Sequence, residues 1–202
     1  MATIVLVHGL WVTSRCWEHW VARFEQQGHR VLAPPYPGLE GSVESLRADP
    51  SPIAALTPAA TLSAVSEVVR SLDRPIVIGH CFGGVLARTL APDCAAAVAL
   101  HALPGAGAGT TGTVSLSLEQ FRYALANFDG SEALYERYVI PAPGTWSWDA
   151  PAGRALEITG SEDNLARRTG EARVMPGRTH LTILQPGWEA VADEVLEWAL
   201  QR

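Results

Sequence analysis

The sequence is poor in cysteine, in charge and in long apolar runs, and each shortage removes a class of protein. Cys16, Cys81 and Cys94 are the only three cysteines. They lack scaffold spacing, and an odd count leaves at least one thiol unpaired within the chain, so a disulfide framework is not expected. Charged residues make up 18% and hydrophobic residues 48%, with no low-complexity tract, which excludes disorder, collagen-like repeats and coiled coil. The net charge of -6 repels a phosphate backbone, so nucleic acid is not an expected partner. No apolar run approaches the ~20 residues of a membrane span, and Met1-Ala2-Thr3 enters Ile4-Val5-Leu6-Val7 without a basic leader. The expectation is a cytoplasmic protein that does not engage a membrane. No Cys, His and carboxylate spacing matches a ligand set, so neither a metal nor a cofactor is expected.

What is present is an alternation of short β-branched runs with amphipathic stretches, and 202 residues suit one domain, 1–202. Strands are predicted at Ile4 to Val7, Arg30 to Ala33, Pro75 to Ile78, Ala95 to Leu100, Ala155 to Thr159 and Ala172 to Met175. Helices are predicted through Trp17 to Phe24, Leu62 to Leu72, Val85 to Leu90 and Trp188 to Leu200, with a short helical turn after Asp163. The proline-rich stretch Pro34 to Pro58 reads as a loop over the top of a sheet. Residues 105–150 break the alternation, with helices near Leu118 to Phe128 and Glu132 to Tyr138 and a Pro/Trp segment at Pro141 to Trp148, and read as a small helical lid. About six βα-type units imply a doubly wound, mostly parallel α/β sheet with helices on both faces.

In such a sheet chemistry sits beyond the carboxyl ends of the strands. The third strand runs into Gly79-His80-Cys81-Phe82-Gly83-Gly84, the spacing of a nucleophile elbow with cysteine at its tip. A side chain at Gly79 or Gly83 would collide with the turn or the neighbouring strand, and the amino end of the following helix favours negative charge on sulfur. Taken alone, Gly-x-Cys-x-Gly also fits a buried structural cysteine. His180 follows the last strand and is the candidate base, although a loop histidine is more often a solvated surface residue. Asp163 follows Gly160 at another strand exit and would fix the imidazole tautomer; Glu162 competes for that role, and a helix N-cap is the bland reading of Asp163. After the first strand, His8-Gly9-Leu10-Trp11 would aim the Leu10 N–H beside that of Phe82 as an oxyanion pair, with His8 structural. Four strand exits carrying these residues in the order nucleophile, acid, histidine form a specific set.

On these motifs, with Trp17, Trp20, the Leu46 to Ile53 run and the His180 to Trp198 tail, the chain resembles the α/β-hydrolase superfamily over nearly its whole length. The resemblance is to small bacterial members and implies the hydrolase fold without its first two strands. It departs in carrying Cys81 where serine is usual, and His101 at the end of the fourth strand where relatives often place an acid. The short lid and the short segment from Asp163 to His180 imply a compact, open site.

A Cys81–His180–Asp163 triad implies a thioester intermediate, and thioesters exchange onto thiols and amines more readily than they hydrolyse. The resemblance therefore implies acyl transfer from a small-molecule thioester, on coenzyme A or a carrier protein, to a thiol, amine or hydroxyl acceptor, in secondary metabolism. The alternatives are an esterase or thioesterase using water, and a non-catalytic or lyase-type member of the fold. Trp11, Trp146 and Trp148 are candidate pocket walls and His101 a candidate polar contact to substrate or site. A homodimer through the lid or the edge strand is allowed by the exposed apolar residues.

Overall fold

The computed structural model describes residues 1–103, 111–144, 146, 154–165 and 172–202. Its elements run β1 (Thr3–Val7), α1 (Glu18–Gln26), β2 (Arg30–Leu32), α2 (Val43–Ala48), α3 (Ser51–Ala54), α4 (Pro58–Arg70), β3 (Ile76–His80), α5 (Phe82–Leu90) and β4 (Ala96–Leu100). They continue with β5 (Thr113–Val114), α6 (Leu118–Ala124), α7 (Glu132–Tyr138), β6 (Ala142–Pro143), β7 (Leu156–Gly160), β8 (Arg173–Met175) and α8 (Trp188–Leu200). Six strands form one parallel sheet in the order β2-β1-β3-β4-β7-β8, and each coincides with a strand predicted from its apolar run.

The pleat sorts the core into two layers. Ile4, Leu6, Ile76 and Ile78 face Trp17, Trp20, Phe24 and Val195 on one side, while Val5, Val7 and Val77 face Val65, Val69 and Leu86 on the other. Alanines on β4, Ala97 and Ala99, leave room for α5 to lie close. That helix begins at Phe82, earlier than the Val85 start expected from its apolar run, because Gly83 and Gly84 are helical and pressed against the sheet.

Between Pro34 and Pro58 the chain makes α2 and α3 where a loop was expected. Ser42 caps α2 through the Ser45 N–H, and Pro52 sits in the first turn of α3, where its missing donor costs nothing. Beyond β4, α6 and α7 pack through Phe121 and Tyr135, with ring centroids 5.5 Å apart, and β5 pairs antiparallel with β6. α6 ends at Ala124 rather than Phe128, since the Leu125 carbonyl is taken by Leu181 N at 2.7 Å. Arg47 binds the carbonyls of Val139 and Tyr135 at 2.8 and 2.6 Å, and Ile140 N donates to the Trp11 carbonyl, which fastens this region over the β1 exit. Of the expected lid, 105–150, residues 105–110, 145 and 147–150 lie outside the described residues. No helix among the described residues is long and apolar enough to cross a membrane.

Candidate active site

Sheet register brings five strand exits, those of β1, β3, β4, β7 and β8, to one edge. Val7 is level with Gly79, His80 with Leu100, Leu100 with Ile158 and Gly160 with Met175. The hydrogen bonds continue one residue further, with Cys81 N donating to the Leu100 carbonyl at 2.9 Å and His101 N to that of Ile158 at 2.7 Å. Trp11, Cys81 and His101, all at these exits, have φ of 57°, 57° and 50°, a left-handed conformation that non-glycine residues seldom adopt. Such strain, about 1–3 kcal/mol per residue, persists only where the surroundings enforce it, and it gathers at functional sites.

The elbow has the steric origin expected from the sequence. A Cβ on Gly79 would lie 1.9 Å from the Gly83 carbonyl oxygen, and one on Gly83 would lie 2.1 Å from that of Val7. Gly9 serves close approach rather than an unusual turn: its Cβ would stand 2.7 Å from that of Cys81. Phe82 opens α5, and among the described residues neither its N–H nor that of Leu10 is taken by a backbone carbonyl. Both donors are therefore available at the elbow.

His180 lies 1% exposed on the loop between β8 and α8. Arg178 braces that loop by donating to the Thr182 hydroxyl and to the carbonyls of Thr182 and Pro186, and Gln185 ties Thr179 N to the Gly177 carbonyl. From the core side, Trp20 Nε1 donates to the Ile183 carbonyl at 3.0 Å, and His80 Nε2 donates to the carbonyl of His180 itself at 2.8 Å. His80, Arg178 and Gln185 were not singled out by motif, since their partners come from loop packing.

Asp163 Oδ2 accepts from two imidazoles, His180 Nδ1 at 3.0 Å and His101 Nδ1 at 2.6 Å, and its Oδ1 accepts from Leu165 N at 2.8 Å. An ionised carboxylate only accepts, so both Nδ1 atoms carry the proton. Burial would raise the Asp163 carboxyl, yet the bonds from His101 and His180 hold it well below the usual carboxylate range. Burial opposes charge on His180, but attraction to Cys81 and the bond to Asp163 push its pKa up to about 10. Cys81 therefore acts electrostatically on the His180 ring, while His180 Nε2 itself has no hydrogen-bond partner among the described residues. Burial lowers His101 despite its bond to Asp163, and lowers His80 further with the help of the neighbouring histidines. His8 is also buried, which lowers it to about 4, and its carbonyl accepts from the Tyr36 hydroxyl.

His101, Asp163 and His180 bring three ligand-type atoms within 4.8 Å of one another. Two of the separations, 2.6 and 3.0 Å, are those of hydrogen bonds. Tetrahedral zinc with bonds of about 2.0–2.1 Å would set its ligands roughly 3.3 Å apart. The grouping is a proton-linked one.

The pocket residues separate into three cases. Trp146 is buried with its ring edge-on to Phe82, centroids 4.8 Å apart, so it backs the elbow. Trp11 is half-buried against the core, and Trp148 lies outside the described residues. His101 does not project into a substrate space as a free polar group; it is bonded to the acid. Nor is the site open, as the abbreviated segments implied: Cys81 is only 3% exposed. A cavity of about 30 Å³, one water in size, adjoins Asp163, His101 and His180. Cys16 and Cys94 are buried as well, and burial raises both thiols, Cys94 to about 12.

A sequence profile described as the alpha/beta hydrolase family matches residues 4–198. Among solved structures, an extracellular α/β-hydrolase from a Paenibacillus species, titled as sharing structural and functional homology with tobacco salicylic acid binding protein 2, superposes with a TM-score of 0.70. It covers 98% of this chain and 99% of its own at 19% identity. A methylesterase from Arabidopsis gives 0.70 over 100% of both chains at 15% identity. Tomato methylketone synthase I, in complex with 2-tridecanone, gives 0.69 over 99% of this chain and 98% of its own at 16% identity. At these identities the likeness is one of fold. No curated protein matches the sequence significantly.

Proposed function

The chain belongs to the alpha/beta hydrolase family and is an enzyme of that superfamily, and from this premise we propose that it handles acyl groups through a thioester on Cys81. The observation that carries the reading is the strained Cys81 at the tip of the elbow, with the His180–Asp163 pair beside it. Cys81 Sγ attacks the carbonyl carbon of an ester or thioester with its proton already held on His180 Nε2. The carbonyl oxygen becomes an oxyanion facing the N–H groups of Leu10 and Phe82. Collapse breaks the bond to the leaving alcohol or thiol, which takes the proton from His180 and departs, leaving the acyl group on sulfur. Asp163 keeps Nδ1 protonated throughout, so that Nε2 is the atom that exchanges protons.

The acceptor then gives its proton to His180, attacks the thioester and releases Cys81. A thiol or amine acceptor is favoured on two grounds: thioester exchange is nearly isoenergetic, and the nearly complete burial of the sulfur keeps bulk water from it. The donor is a small-molecule or carrier-borne acyl thioester, with Trp11 and Trp146 as apolar walls. A second reading, ester hydrolysis with water as acceptor, is favoured by the methylesterase among the structural neighbours.

The test is intact-mass spectrometry of the protein after exposure to a panel of acyl thioesters and esters, followed by release of the adduct with and without added thiol or amine. An adduct on Cys81 discharged faster by acceptors supports transfer. Discharge at one rate whatever is added supports hydrolysis, and the absence of any adduct, with activity surviving Cys81→Ala, would defeat both.

A further inference from the structure

We infer that His101 is a second histidine of the site, a positioning residue that shares Asp163 Oδ2 with His180 and sets how strongly the acid holds the base. The inference deepens the triad reading and rests on it. The bond from His101 is the shorter of the two, 2.6 Å against 3.0 Å, and both end on the same oxygen. Each donor draws on the same lone-pair density, so the pull that Asp163 exerts on the His180 Nδ1–H depends on what His101 takes.

Two costs accompany this arrangement. His101 is held at φ 50°, in the left-handed region, by the bond from its N–H to Ile158. Its Nε2 is buried with no hydrogen-bond partner among the described residues. The imidazole is completely buried, and the acid beside it nearly so. A Cβ at Gly160 would stand 3.0 Å from His101 Cε1, although it would meet the Arg178 carbonyl oxygen first, at 1.8 Å.

The groups facing His101 decide its charge. Asp163 attracts a proton to it, while His180 and Arg178 oppose one, His80 stands 6.1 Å away ring to ring, and Glu157, near the same small cavity, is committed to Arg88. With burial added, the balance lowers the His101 pKa and favours the neutral imidazole as the donor. It therefore keeps the Asp163 carboxylate aimed at His180 without adding a positive charge that would expel the proton from His180.

Two variants separate positioning from packing. Asn tolerates the left-handed backbone and offers an amide N–H where Nδ1 stands, so His101→Asn retains the donor; His101→Leu fills the space without one. The readout is the pH profile of Cys81 alkylation by iodoacetamide, with the modified residue assigned by peptide mass, since it needs no knowledge of the substrate. His101→Leu is expected to slow alkylation at pH 7 by about tenfold and to move the midpoint of the profile by roughly a pH unit, while His101→Asn stays within about threefold of wild type. Thermal denaturation of both variants confirms folding. A wild-type profile in folded His101→Leu, or equal damage in His101→Asn, overturns the inference; if His101→Leu does not fold, His101→Asn and His101→Gln carry the test, and profiles that ignore the position of the donor overturn it. Failure of the triad reading looks different: the wild type itself then forms no acyl adduct on Cys81.

Discussion

Replacing Cys81 by alanine removes the first of the interactions that keep His180 protonated, and the size of the effect follows from the geometry. Burial works against the imidazolium, so its elevation to about 10 requires attraction that exceeds the desolvation cost. A unit charge at a contact distance of about 4 Å, in surroundings with an effective dielectric constant of about 20, contributes about 4 kcal/mol. Divided by 1.36 kcal/mol per pH unit, this corresponds to about three units. Without Cys81, burial and the Asp163 bond oppose each other and His180 should titrate near or below the ordinary histidine value of about 6.5. Nuclear magnetic resonance of imidazole-labelled protein measures this directly, with His180→Gln to assign the signal. His8, His80 and His101 provide internal controls, because burial lowers all three. A His180 signal that titrates at the same high pH in Cys81→Ala and in wild type would refute the coupling between sulfur and ring, and with it the proton transfer on which acylation depends.

Three further outcomes are expected. Gly79→Ala should lose several kcal/mol of stability or fail to fold, since its Cβ would sit 1.9 Å from a backbone oxygen, whereas Gly28→Ala, with φ +84° and open space around it, should lose only about 1–2 kcal/mol in urea denaturation. Asp163→Asn should keep the fold and lower acylation by roughly 10³- to 10⁴-fold. Because the folded state holds this carboxyl below its unfolded value of about 3.9, its contribution to stability is present above that pH and is lost as the pH falls, so the wild-type and Asp163→Asn denaturation curves should converge toward acid. Cys81→Ser should fold normally and resist iodoacetamide, and its oxygen-ester adduct should discharge to thiols no faster than to water, which mass spectrometry of the adduct will show.

Much of this protein was legible one segment at a time. Each of the six strands is a short run of β-branched or small apolar residues, and such runs are recognisable because both faces of a parallel strand are buried. The elbow was legible because its constraint is local: Gly79 and Gly83 are dictated by backbone atoms within a few residues and on the adjacent strand. The order of Cys81, Asp163 and His180 was legible because each follows a strand exit. What lay beyond the sequence is everything that depends on which exits become neighbours. The pairing of β4 with β7 sets His101 against Asp163, 62 positions away, and loop packing sets His80 under the carbonyl of His180, 100 positions away. The bond from Ile140 N to the Trp11 carbonyl likewise joins segments far apart in the chain. A sequence records the chemistry that each strand exit carries, but hydrogen-bond register between distant strands decides which of those groups share a proton.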